Sequence, residues 1–212
     1  MNGRTQAHVP EELGFQAPLR SHSNPQLLCC GTGWYKPSLL EEMGEDVEMN
    51  ALEIIELLDL KPHPEGGYFR ESYRSHGVIP SDALPSEYEG QRNISTAIYY
   101  LLDKGARSKI HRVASDEMWH HYLGGPLKIV EIMPDGSATE TIVGPEIEHG
   151  QVLQHVVPAG RWFGAYLPEG SDYALAGCTV APGFDFADFE LGKVEDLLRQ
   201  FPGAEDAIRT LT

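Results

Sequence analysis

The chain has 212 residues, of which 41% are hydrophobic and 23% are charged, and these proportions are ordinary for a globular protein. Its 16 basic and 32 acidic residues give a net charge of −16, which disfavours nucleic acid and anionic membrane surfaces as partners. No apolar run is long enough to span a bilayer, and the segment from Met1 to Arg20 lacks the apolar core of a signal peptide. The three cysteines show no framework spacing, so the sequence predicts a cytoplasmic protein.

Residues 1–46 are predicted to form an N-terminal extension that is partly irregular, because prolines are scattered through polar sequence without a sustained period. A single domain with flanking helices is predicted over residues 47–212. Its first element is a helix over residues 51–60, since Asn50 and Glu53 have the spacing of a capping box.

From residue 66 to about residue 190 the pattern changes to short runs rich in β-branched and aromatic residues, separated by glycine, proline and aspartate turns. Such regularly spaced strands predict an all-β fold, namely a sandwich, a jelly roll or a closed barrel. Apolar residues at helical spacing then predict two short C-terminal helices, over residues 194–201 and 204–211. The predicted strands cover residues 68–73, 94–102, 117–123, 127–133, 140–143, 151–157, 162–167 and 173–181.

The spacing of His111 and Glu117 within residues 105–124 is the most informative local pattern. His111 follows Gly105, the glycine that opens this stretch, after five intervening residues, and Glu117 follows His111 after five more. The spacing resembles the first signature of the cupin superfamily, a histidine-rich motif that ends in a glutamate and a glycine. Val113 stands where the second histidine of that signature is found.

The second cupin signature is echoed over residues 150–167, with Phe163 in the place of its histidine. Cupin metal sites need imidazole and carboxylate groups that converge from facing strands. Strand alternation places His121 on the same side as Glu117, so that His111, Glu117 and His121 would form a divalent metal set. The two missing histidines nevertheless favour a site without a metal cofactor.

Five longer strings carry a more specific resemblance, which extends over nearly the whole of residues 47–212. They are similar to the cupin branch labelled domain of unknown function 985. The resemblance implies a double-stranded β-helix, the cupin jelly-roll barrel, with short N- and C-terminal helices, a pocket for a small-molecule ligand and a homodimer. Its relatives include sugar-nucleotide epimerases, but the resemblance implies no settled reaction. The strings are PEGGYFRE (64–71), ISTAIYYLL (94–102), DEMWH (116–120), PAGRWF (158–163) and GCTVAPGFDF (177–186).

We interpret His111 and Glu117 as a catalytic pair in the barrel pocket, in which Glu117 orients His111 or raises its basicity. The alternative is a structural pair that joins two strands. Five further residues are predicted to bind substrate, as an anion-binding fork, as aromatic walls or as polar groups of the pocket. For them the alternatives are a surface ion pair and ordinary core packing. These five residues are Tyr68, Arg70, Trp119, His121 and Trp162.

Three functions follow from this sequence. The first is a small-molecule-binding cupin with proton-transfer chemistry of the isomerase, epimerase or lyase kind. The second is a non-catalytic binding or sensor cupin in which Trp119 and Trp162 stack on the ligand. The third, a metal-dependent oxygenase, has the least support because two ligand positions are lost.

Overall fold

The capped helix at the start of the domain is present in the computed structural model, which describes residues 49–212. Helix α1 (Ala51–Leu57) begins at Asn50, whose side chain accepts hydrogen bonds from the backbone of Leu52 and Glu53, while Glu53 accepts from the backbone of Asn50. The predicted capping box is therefore confirmed. The helix ends three residues earlier than predicted, because Asp59 adopts a positive φ of 50° and turns the chain.

All eight predicted strands are present, with bounds that differ by up to three residues. The prediction missed the strand Arg107–Val113, which carries His111, because its alternating polar residues interrupt the apolar run. It also missed three strands of only two residues each. The strands are β1 (Lys61–Pro62), β2 (Tyr68–Arg74), β3 (Val78–Ile79), β4 (Arg92–Asn93), β5 (Thr96–Asp103), β6 (Arg107–Val113), β7 (Asp116–Gly124), β8 (Leu127–Ile132), β9 (Ala138–Val143), β10 (Gln154–Val157), β11 (Trp162–Tyr166), β12 (Tyr173–Ala181) and β13 (Phe189–Leu191).

Eleven of the strands form two antiparallel sheets that enclose the main core, and β3 and β4 form a separate two-stranded sheet. The six-stranded sheet has the order β1-β2-β5-β12-β7-β10, and the five-stranded sheet has the order β13-β6-β11-β8-β9. Because strands distant in the sequence pair in both sheets, the architecture is the double-stranded β-helix that the family resemblance implied. Inward-facing side chains from both sheets, among them Tyr100, Trp119, Ile129 and Phe163, pack together between them.

Short helices cover the outer faces of the sheets. Helices α2 (Val194–Gln200) and α3 (Glu205–Thr210) contribute Leu197 and Ile208 to an apolar cluster with the outer residues of β6, β8 and β11. Helix α1 packs Ile54 against Leu101 and Leu175 of the six-stranded sheet. Within residues 49–212, no helix is long and apolar enough to cross a membrane. The predicted extension over residues 1–46 lies outside the described residues.

Candidate active site

A cavity of about 220 Å³ lies between the two sheets and is lined by residues of both. Strands β2, β5, β7 and β12 supply its walls from the six-stranded sheet, and β6 and β13 supply them from the five-stranded sheet. The lining combines apolar surface with several titratable side chains, an arrangement typical of small-molecule sites. His111 and Glu117, which the sequence singled out, both line this cavity.

Glu65 is the carboxylate at the centre of the polar group. Its Oε2 lies 3.3 Å from Nδ1 of His63 and 3.4 Å from Nε2 of His111, and its Oε1 accepts a hydrogen bond of 2.8 Å from Ser108. Burial raises the pKa of Glu65, but His111, His63 and Ser108 outweigh burial and hold the pKa at about 2. Glu65 is therefore ionised at neutral pH and stabilises a positive charge on either histidine.

The turn before β2 brings Glu65 to this position. The carbonyl of Glu65 accepts a hydrogen bond of 2.9 Å from the backbone of Lys109 in β6. Gly66 follows with a φ of 116°, and a Cβ atom there would lie 2.1 Å from the carbonyl oxygen of Arg107. Only glycine permits this close approach of the two backbones, so Gly66 fixes the carboxylate against β6.

His111 has one nitrogen committed to the fold and one directed to Glu65. Nδ1 lies 2.7 Å from the carbonyl oxygen of Lys109, and since a carbonyl only accepts, Nδ1 carries a hydrogen. Nε2 is then the nitrogen that faces the carboxylate of Glu65. The ring packs against Phe163 at a centroid distance of 4.2 Å, which fixes its orientation.

Glu117 has the opposite ionisation state. It is 7% exposed, and burial, reinforced by the negative charge of Glu65, raises its pKa to about 8 although a hydrogen bond with Cys178 acts against this. Burial, together with the charges of Glu117 and Glu65, also raises the pKa of the Cys178 thiol well above its ordinary value. At neutral pH the cavity thus combines the ionised carboxylate of Glu65 with the protonated carboxyl group of Glu117 and the protonated thiol of Cys178.

The carboxylate paired with His111 therefore differs from the prediction. The sequence paired His111 with Glu117, whereas the structure places Glu65 within ion-pair distance of His111. Glu65 lies 46 positions earlier in the chain and reaches β6 only through the turn before β2. This contact is invisible to an argument from spacing within residues 105–124.

Tyr68 and Arg70 lie on the face of β2 opposite the cavity. Phe69 and Glu71 line the cavity instead, since the strand alternates in the other register. Tyr68 packs in the cluster beneath α1, and the guanidinium of Arg70 lies over the ring of Tyr99 at 5.5 Å. The structure therefore gives no contact through which these two side chains would bind a ligand in this cavity.

The other three predicted binding residues also lie away from the cavity lining. Trp119 is 1% exposed and packs in the main core against Tyr100, at a centroid distance of 5.4 Å. His121 lies further along β7, with Nε2 3.2 Å from the carbonyl oxygen of Gly125. Trp162 belongs to the outer cluster beneath the C-terminal helices. Side-chain alternation along β7 correctly predicted that Trp119 points into the barrel. It could not predict that the side chain lies in the core, outside the cavity lining.

The metal set of His111, Glu117 and His121 is not assembled. His121 is absent from the lining of the cavity that holds the other two residues. In the part of the chain that the structure describes, no group of three histidine, cysteine, aspartate or glutamate side chains is arranged to hold a metal ion. The residues present therefore do not fit the metal centre of the cupin signatures, and we derive no step through a metal.

Three phenylalanines form the aromatic part of the cavity mouth. Phe184, Phe186 and Phe189 all line the cavity, and Phe186 is 53% exposed. Their place over the cavity depends on the contact of residues 184–189 with β2 and β6, which a local pattern does not contain.

The chain matches the model of the cupin superfamily domain of unknown function 985 over residues 52–192. It is 34% identical over 154 residues to the uncharacterised protein YML079W of Saccharomyces cerevisiae, covering 68% of this chain and 76% of that protein. Among solved structures, a hypothetical protein from Leishmania major is 34% identical with a TM-score of 0.71, over 77% of this chain and 99% of that chain. The protein SO0799 from Shewanella oneidensis is 37% identical with a TM-score of 0.69, over 77% and 98% of the two chains. The family match covers most of the domain, and the chain belongs to the cupin superfamily, in the branch defined by domain of unknown function 985.

Proposed function

We propose that this cupin catalyses proton transfer at a carbon atom next to a carbonyl group, as an isomerase, epimerase or lyase does. The observation that carries the proposal is the pair of carboxyl groups in one cavity, Glu65 ionised and Glu117 protonated. Oppositely displaced pKa values separate the proton donor, Glu117, from the ionised carboxylate, Glu65, which supports His111 as the base. A purely structural pair would not need the acid to face a cavity.

The geometry supports the following roles. Nε2 of His111 accepts the proton from the carbon atom, and the C–H electron pair forms the carbon–carbon double bond of an enol. Glu117 donates its proton to the carbonyl oxygen, which avoids a free enolate. Glu65 stabilises the imidazolium that forms on His111, at an Nε2–Oε2 distance of 3.4 Å. An epimer forms when solvent water protonates the opposite face of the carbon atom, the enol O–H returns its proton to Glu117 and His111 releases its proton to solvent. Where the carbon atom carries a hydroxyl group, an isomer forms when that O–H gives its proton to Glu117 and His111 protonates the former carbonyl carbon.

The competing function, a non-catalytic binding cupin, uses the same cavity. Its predicted stacking residues, Trp119 and Trp162, are buried outside the cavity lining, so the phenylalanines of residues 184–189 would take that role. The homodimer stays a prediction from the family resemblance, and the cytoplasmic location stays a prediction from the sequence pattern.

Deuterium exchange tests the catalytic proposal. In D₂O, we expect the protein to accelerate loss of the α-hydrogen signal of small ketones and aldehydes that bind in the cavity, as measured by ¹H NMR. Replacing His111 with asparagine, or Glu117 with glutamine, should each slow exchange by about 10²- to 10⁴-fold, since each removes a proton-transfer group.

His120→Ala is the matched control. His120 lies on the same strand as Glu117, but its ring nitrogens contact Thr179 and Gln154 outside the cavity, so exchange should be unchanged. Binding of the carbonyl compounds without exchange would contradict proton transfer and favour the binding cupin.

A further inference from the structure

The mouth of the cavity has a charge and an aromatic lining that the proton-transfer step does not use. Four of its lining residues carry carboxyl groups, namely Glu65, Glu71, Glu117 and Asp185. Among the described residues, Arg74 is the lysine or arginine that lines the cavity. These groups decide the charge of the ligand that the cavity accepts.

Arg74 is not available to bind an anion. Its Nε and one terminal nitrogen donate to Glu71 at 3.0 and 2.7 Å. The other terminal nitrogen donates to Asn93 at 2.8 Å, and both terminal nitrogens donate to the carbonyl of Phe184. These contacts engage all five N–H groups of the guanidinium, so a carboxylate or phosphate ligand would have to displace protein partners.

Asp185 is a mouth carboxylate that is hydrogen-bonded to backbone rather than to a cation. Its Oδ1 accepts a hydrogen bond of 2.9 Å from the backbone of Ala187. The nearby Glu71 and Asp188 have arginine partners, Arg74 and Arg92. Arg74 and Arg92 also interact electrostatically with Asp185. Two arginines thus face the three carboxylates of Glu71, Asp185 and Asp188, and these five residues carry one surplus negative charge.

The aromatic rings of Phe184, Phe186 and Phe189 surround this position. Their centroids are 5.1, 6.1 and 6.2 Å apart, and their planes are inclined by 81°, 79° and 66°. Because these rings are close together and steeply inclined, a cationic group at the mouth lies within about 6 Å of more than one of them. Cation–π attraction acts over this distance. The ring of His63 stacks on Phe186 at a centroid distance of 6.1 Å, and the 53% exposure of Phe186 leaves the rest of its ring uncovered for a ligand.

We propose that the cavity binds a small organic cation, with an amine or quaternary ammonium group against the phenylalanines and Asp185, and a carbonyl group directed to His111 and Glu117. This inference rests on the proposed function, since it names the substrate class of the same site. The aromatic faces and the surplus carboxylate attract the cation, while the occupied Arg74 offers nothing to an anion.

Three methyl ketones of similar size test the proposal by isothermal titration calorimetry at physiological salt. They are (2-oxopropyl)trimethylammonium, its uncharged isostere 4,4-dimethylpentan-2-one, and the anionic 4-oxopentanoate. We expect the ammonium ketone to bind about tenfold more tightly than its isostere, the magnitude of a partly desolvated cation–π contact, and the anion to bind weakest. Equal affinity of the first two compounds, or tighter binding of the anion, would overturn the proposal.

Two variants locate the cation. Phe186→Leu keeps an apolar side chain but removes the ring, so the ammonium ketone should lose affinity about fivefold while the isostere changes little. Asp185→Asn keeps the acceptor for Ala187 and should weaken only the ammonium ketone, by about two- to fivefold. Asp135→Asn is the matched control, because Asp135 accepts the same two-residue backbone contact, from Ser137 at 2.9 Å, in a turn remote from the cavity. An equal loss in both aspartate variants would place the cation elsewhere and overturn the proposal.

Hydrogen exchange separates this inference from the proposed function. Selective binding of the ammonium ketone without α-hydrogen exchange would uphold the ligand class and reject proton transfer. Exchange of the uncharged ketone that depends on His111, with weak binding of the ammonium ketone, would uphold proton transfer and reject the ligand class.

Discussion

Replacing Glu65 with alanine is expected to destabilise the domain by about 3–5 kcal/mol, because it removes a buried carboxylate that three polar side chains share as their partner. His63, His111 and Ser108 all contact this carboxylate, and the side chains of His63 and His111 are only 7% and 2% exposed. The substitution leaves three buried polar groups without their acceptor and also opens a void. Urea unfolding at pH 7 measures the loss as a lower transition midpoint.

The control for Glu65 is Glu190→Ala. Glu190 pairs with Arg112 at the surface, and its side chain is 55% exposed, so its loss should cost at most about 1 kcal/mol. A loss of similar size in both variants would contradict the buried polar network around Glu65.

Stability should fall as the pH rises from about 4.5 to 8, through the deprotonation of Glu117. Its pKa is about 8 in the folded protein against an ordinary value of 4.5, so over this range the folded state binds a proton that the unfolded state has lost. The stabilisation is fully present below pH 4.5 and is lost as the pH passes through 8. One such group lowers the free energy of unfolding by up to about 1.4 kcal/mol per pH unit.

Glu117→Gln isolates this contribution, since an amide of the same shape does not titrate. Urea unfolding of both proteins from pH 4.5 to 9 should show a steeper decline for the wild type than for the variant. In Glu148→Gln, which changes an exposed turn residue, the decline should match the wild type. Parallel profiles for the wild type and Glu117→Gln would mean that Glu117 is ionised in the folded protein at neutral pH.

Local sequence patterns predicted the strands well because burial against one core repeats at every second residue. The capping box at Asn50, the eight strand runs and the two terminal helices each depend on residues close together in the chain. Strand β6 was missed because its outward residues, such as Arg107 and Lys109, are charged and exposed. The family resemblance supplied the order of strands, which local patterns do not contain.

The candidate site was predicted only in part, because it is assembled from four distant segments. His111 and Glu117 were found through a motif within one stretch of chain. Glu65 and the three phenylalanines at the cavity mouth could be predicted only with knowledge of which loop crosses the end of the barrel. A glutamate directly before the glycine pair at 66–67 was the one local signal, since such a turn allows close backbone approach. The sequence does not show which face of β2 points into the barrel. The prediction therefore assigned Tyr68 and Arg70 to the cavity face, which Phe69 and Glu71 occupy.

The opposite ionisation of Glu65 and Glu117 is tested most directly by ¹³C NMR of protein labelled at the glutamate side-chain carboxyl carbon, titrated from pH 2 to 10. We expect one carboxyl signal to titrate with a pKa of about 8 and to be absent in Glu117→Gln, and another to stay ionised to about pH 2 and to be absent in Glu65→Gln. The charge of Glu65 helps to raise the pKa of Glu117, so this pKa should be lower in Glu65→Gln. A Glu117 signal that titrates near the ordinary value of 4.5 would contradict the account of an acid and a base held apart in one cavity.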